Sequence, residues 1–152
     1  MTRGFTLLEA LVYLALLSTL LTGSIASVML LQSSSARIAA SARVTDEGIF
    51  VVEKFRYALG RAERIEEPFV GETGPALRVS VRGQEEVWTV IQGTLTVSTA
   101  TGRYPLTEKA SILSELSFAR DEHAVSLTFT LSVPVGDGTY LTETFSASAA
   151  PP

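Results

Sequence analysis

The sequence predicts an α+β protein: a long N-terminal helix, apolar enough in its first half to span a membrane, packed by its second half on an antiparallel β-sheet. Three observations predict it. No charged residue occurs from Ala10 to Ala36; apolar residues recur at helical spacing from Val44 to Ala62; and from Ala76 the pattern switches to a period of two. A chain of 152 residues with about 30 in a membrane leaves one head of roughly 115 residues, enough for a modest core.

Residues 10–31, at about 1.5 Å each, cover roughly 33 Å against a hydrocarbon core of about 30 Å. One helix therefore spans. Ser33, Ser34 and Ser35 follow; serine competes for backbone hydrogen bonds, so the rod is weakest there, yet the helix is expected to continue. Val44, Val51, Val52, Phe55, Ala58, Leu59 and Ala62 form one apolar stripe that must face a sheet, with Arg43–Glu47 and Glu53–Arg56 as surface pairs. Gly48 costs about 1 kcal/mol relative to alanine in such a helix, and Gly60 adds a second weak point. The expected helix runs from about Phe5 to Ile65 and stops before Pro68, approaching about 90 Å if unbroken.

Leu77, Val79 and Val81 alternate with Arg78, Ser80 and Arg82, which marks a strand. Gly83-Gln84 turns the chain into Val87–Gln92, Gly93 turns it again, and Thr94–Ser98 completes a meander. Tyr104-Pro105-Leu106 reads as a loop. Ile112–Ala119 is a further strand, Asp121-Glu122-His123 a turn, and Val125–Leu131 a cleanly alternating strand. Pro134 and Gly136-Asp137-Gly138 form a loop before a last strand, Thr139–Ser146, and a frayed Ala/Ser/Pro tail.

The sharpest local feature is Gly4-Phe5-Thr6-Leu7-Leu8-Glu9, in which one carboxylate stands just inside the apolar run. A charge there is costly unless a cation or donor answers it. Between Gly4 and Arg37 the chain holds no lysine or arginine, so cleavage after Gly4 would make the ammonium of Phe5 the nearest cation to Glu9. In side-by-side helices with an axial offset, Glu9 of one subunit can then meet Phe5 of its neighbour. The plainer reading is that Glu9 is a first-turn acid favoured by the helix dipole. An ordinary secretory signal is the other plain reading, with Ser24-Ile25-Ala26 as its cleavage site, but the apolar run is too long for it and opens on an acid.

The Gly-Phe pair, the short basic leader, the fixed Glu9 and the spanning run resemble the N-terminal processing motif of type IV pilins and the pseudopilins of type II secretion and DNA-uptake machines. The resemblance covers residues 1 to about 31. It implies that a prepilin peptidase cuts after Gly4 and methylates Phe5, and that Glu9 serves filament assembly. It implies a pilin-like fold, an N-terminus in the cytoplasm and a body outside the inner membrane. The implied domains are a leader at 1–4, a membrane and filament-core helix at 5–31, an amphipathic continuation at 32–67 and a sheet head at 68–152. The implied partners are other pilin or pseudopilin subunits, the prepilin peptidase, an inner-membrane assembly platform and membrane lipid. Leu8 stands where the family commonly has isoleucine, and Ala26 where many major pilins carry proline. The sheet-rich body looks more like a minor pseudopilin such as the J-type component.

Composition narrows the chemistry. The formal charge is -4, and removing Arg3 with the leader leaves 11 basic against 16 acidic residues, or -5, which argues against a nucleic-acid-binding surface. No cysteine is present, so neither a disulfide nor a thiolate metal site can form. His123, the single histidine, reads as a solvated turn residue; Asp137 between two glycines reads as a turn before a calcium ligand; Glu66, Glu67 and Glu72 read as a solvated helix end and loop. Trp88 and Tyr104 fit either core or contact surface. No nucleophile elbow, phosphate loop or zinc pattern appears, so no enzyme, cofactor or metal is expected. The alternative to a filament subunit is a membrane-anchored binding module that does not polymerise.

Overall fold

The computed structural model describes residues 6–136 and 138–151. One helix, α1 (Leu7–Leu59), is followed by nine strands in antiparallel sheets. The chain divides into two compact units, residues 1–38 and 39–152.

In the first unit α1 begins behind Thr6 and passes Ser33, Ser34 and Ser35 without interruption. Its apolar side chains from Leu7 to Leu31 are exposed, and it is the one helix among the described residues long and apolar enough to cross a membrane. Five serines and threonines lie between Ala10 and Leu31, and each bonds back to a carbonyl of its own helix. Ser18 donates to Leu14 O, Thr19 to Leu16 O, Thr22 to Ser18 O, Ser24 to Leu20 O and Ser27 to Gly23 O, at 2.8 to 2.9 Å. Polar groups satisfied inside the segment are what a hydrocarbon environment requires.

In the second unit the remaining helical residues bury Ala40, Val44, Gly48, Val51, Phe55, Ala58 and Leu59. The strands are β1 (Arg64–Glu67), β2 (Thr73–Gly74), β3 (Leu77–Val81), β4 (Gln84–Ile91), β5 (Thr94–Thr99), β6 (Gly102–Pro105), β7 (Ile112–Arg120), β8 (Val125–Pro134) and β9 (Tyr140–Ala149). They form two sheets, not one: a five-stranded sheet ordered β1-β3-β4-β5-β6 and a four-stranded sheet ordered β2-β7-β8-β9. The split follows from the Tyr104-Pro105 segment, expected as a loop. It forms β6, pairs with β5 from Thr96↔Pro105 to Thr99↔Gly102, and occupies the edge that β7 would otherwise use. β7 starts a second sheet and pairs with β8.

Phe55 joins the layers. Its ring meets Trp88 of β4 edge-on at 6.4 Å and Phe118 of β7 at 6.3 Å, so one helical side chain packs on both sheets. Leu77, Val79 and Leu95 from one sheet and Leu127, Phe129 and Leu131 from the other complete the buried cluster. At about 1.5–3 kcal/mol per fully buried large apolar side chain, this cluster holds the head together.

Three boundaries differ from expectation. The helix ends at Leu59, not near Ile65. After Gly60 the chain makes two tight turns, Arg61 N to Ala58 O and Ala62 N to Leu59 O, and then Arg64–Glu67 pairs with β3. Burying Ile65 in a strand outweighs one more turn of helix. The second difference is β2, which answers no alternation in the sequence. At the other end β9 runs through the expected tail to Ala149, paired with β8 at every position from Tyr140.

Candidate functional site

Thr6 caps α1. The Glu9 amide donates to Thr6 Oγ1 at 3.3 Å and to Thr6 O at 3.1 Å, and the Ala10 amide reaches Thr6 O at 3.2 Å. Thr6-Leu7-Leu8-Glu9 is thus an N-cap followed three residues later by an acid, the spacing of a capping box. Sequence reading singled out Glu9 and passed over Thr6, although that four-residue pattern was there to find. Glu9 lies in the first turn and is exposed, at the end of the helix where the dipole favours an anion. Gly4 and Phe5 lie outside the described residues.

From Leu7 through Leu31 the surface of α1 is mostly hydrocarbon, its serine and threonine hydroxyls bonded back to the helix, and Leu7, Leu8, Leu14, Leu20 and Leu30 are each more than 60% exposed. Such a surface is stable in lipid or against similar helices and nowhere else. Glu9 is the one carboxylate on it.

The described residues of the head carry no comparable constellation. Among the described residues no group of three or more histidines, cysteines or acids is placed to hold a metal ion, and Asp137 lies outside them. His123 sits in the exposed β7–β8 turn, where its backbone N–H donates to Asp121 Oδ1 at 2.7 Å; the Ala124 amide donates to the same oxygen at 2.6 Å. These two bonds hold the Asp121 carboxyl below its usual range. Trp88 is core and Tyr104 is exposed. A hollow of 660 Å³ between Ile91, Gln92, Thr94, Thr107, Glu108 and Lys109 has no nucleophile–base pair in its lining.

The expected Arg43–Glu47 pair is replaced by a longer-range contact. Glu47 accepts from the Glu108 amide at 2.5 Å and from Ser111 Oγ at 2.6 Å, fastening the β6–β7 loop to α1. The ion pairs among the described residues are Arg78 with Glu67 and with Glu85, not Glu53 with Arg56. The hydrogen bond and charge of Glu85 make the Arg78 guanidinium hold its proton more tightly still.

Comparison with known families finds the prokaryotic N-terminal methylation motif over residues 1–25. No curated protein and no solved structure matches the chain. The N-terminal segment is therefore a prepilin-type motif of the type IV pilins and pseudopilins, and the match stops short of the head.

Proposed function

We propose, from the premise that the chain carries the prepilin-type motif, that it is a minor pilin or pseudopilin, a structural subunit of a pilus-like filament. The observation that carries the reading is the conjunction of that motif with a spanning-length helix whose serine and threonine hydroxyls between Ala10 and Leu31 are answered within it. In this reading the prepilin peptidase cuts between Gly4 and Phe5 and methylates the new amine. Glu9 then meets the Phe5 ammonium of a neighbouring subunit. Residues 5–31 anchor the unassembled subunit in the inner membrane as a single pass, with the head outside, until an assembly platform extracts it. The absence of cysteine, and Ala26 in place of a proline, favour a minor over a major subunit.

Mass spectrometry of the mature N-terminus tests the processing step. The expected product starts at N-methylated Phe5, and Gly4→Leu accumulates as the longer precursor. Normal processing of Gly4→Leu, or a mature chain beginning elsewhere, overturns the assignment.

A further inference from the structure

Sheets protect their edges with short strands, prolines, bulges and inward charges. Three of the four edges here do so. β1 and β6 have four residues each, the first with a register shift and the second ending in Pro105; β2 has two, and the stretch of β7 beyond it bulges between Ser114 and Ser117 with Glu115 at φ 54°. β9 has none of these. It is ten residues long, pairs with β8 without a shift, contains no proline, lysine or arginine, and carries one acid, Glu143. Its outward backbone groups have no backbone partner among the described residues.

The ground beside this edge is partly apolar. Thr45 Oγ1 donates to Glu143 at 3.2 Å and the Phe145 ring stands over Gly48, so α1 lies under the inner face of β9. With about 100° between successive helical residues, Ile49 and Val52 fall on the same flank as Thr45. Ile49 is 48% exposed and Val52 half-buried. A strand added about 4.8 Å outside β9 would set alternate side chains on that flank. The outer row of β9, Thr142, Thr144, Ser146 and Ser148, is exposed and polar.

We propose that β9 is a strand-acceptor edge for an extended segment of a different polypeptide. That segment carries apolar side chains at alternate positions toward Ile49 and Val52, polar ones beside the hydroxyl row, and a basic side chain against Glu143. Main-chain hydrogen bonds supply affinity and the alternate side chains supply selectivity. A second copy is the wrong occupant: β9 carries an acid and no lysine or arginine, so a β9–β9 pair offers Glu143 no cation.

The test uses the full chain in detergent micelles and a fluorescent nine-residue peptide of alternating valine and threonine with one central lysine, followed by anisotropy. Saturable binding is expected. It weakens about tenfold or more when the peptide amides facing β9 are N-methylated, since that removes the main-chain bonds. Glu143→Lys and Ile49→Lys, both at exposed positions, each weaken it with an unchanged circular dichroism spectrum, and a glutamate-containing peptide recovers binding to Glu143→Lys. No saturable binding at millimolar peptide, indifference to N-methylation, or displacement of the peptide by self-association through β9 overturns the proposal. Unprocessed Gly4→Leu chain binds the peptide equally, so failure here is separable from failure of the processing assignment.

Discussion

The Phe145 ring occupies the space that a Cβ at Gly48 would need, so the helix is thinned at that one position to let the last strand close on it. Phe145 in turn stacks on Phe129 of β8, with centroids 5.2 Å apart and planes 19° from parallel, so the ring has little room to retreat. Read as sequence, Gly48 is a flaw in a helix. In the folded head it is a socket.

Gly48→Ala should therefore destabilise the head despite alanine's better helix propensity. Propensity contributes about 1 kcal/mol in favour, against about 1–3 kcal/mol for overpacking, so a net loss of up to about 2 kcal/mol is expected. In a Phe145→Ala background the sign reverses and the same change stabilises. Thermal unfolding of the four chains of this double-mutant cycle checks it; an unchanged sign would mean that the ring is not what the glycine accommodates.

Phe55→Ala removes the side chain that packs on both sheets, and large aromatic-to-alanine changes in a core cost about 3–5 kcal/mol. Loss of the cooperative urea transition, or a midpoint shifted by that amount, is expected. A cost below about 1 kcal/mol would show that the two sheets do not depend on the helix between them.

Glu47→Ala releases the β6–β7 loop at both of its bonds to the helix and should cost about 1–2 kcal/mol, bonds to a charged group being the stronger kind. Faster amide hydrogen exchange confined to residues 106–111 is the expected signature. Glu47→Gln, which retains acceptor capacity, should restore part of the protection.

Asp121 gives a pH dependence whose sign is fixed by its two backbone bonds. Its folded pKa is lowered, so its contribution is fully present above the unfolded value of about 3.9 and is lost as pH falls through the folded value. The amides of His123 and Ala124 should therefore lose exchange protection at acid pH in the native protein. In Asp121→Ala that step should be missing.

Glu9→Gln keeps the shape of the side chain and removes its charge. Membrane fractionation should be unaffected, because the segment only becomes more apolar, while crosslinking to partner subunits should fall sharply if Glu9 pairs as proposed, loss of one side of a buried ion pair costing about 3–5 kcal/mol. Equal crosslinking would reduce Glu9 to the acid three residues past the Thr6 cap.

Much of this was legible because the signals are local. Val44, Val51, Phe55 and Leu59 repeat with helical spacing and are buried; Leu77, Val79 and Val81 alternate and are buried; Gly83 and Gly93 turn the chain at φ 72° and 79°. The spanning run and Gly4-Phe5…Glu9 needed no partner to be read. What escaped depends on distant choices. β1 offers a single apolar residue, Ile65, and becomes a strand because β3 accepts it, and Tyr104-Pro105 becomes one because the edge of β5 is open. The count of two sheets follows from that second pairing, and the role of Gly48 from a ring in the final strand.

The contact between Thr45 and Glu143 joins positions 98 apart in the chain, as the socket at Gly48 joins the same helix to the same strand. At about 5–20 residues per second of synthesis, the helix waits on the order of 5–20 s for the strand that seals it. During that interval Val44, Val51 and Phe55 have no complete roof, and no disulfide is available to hold an intermediate in place. Until that strand arrives the apolar face of the helix stays partly open, and truncation of the last dozen residues, which removes Glu143 and Phe145, would leave it so.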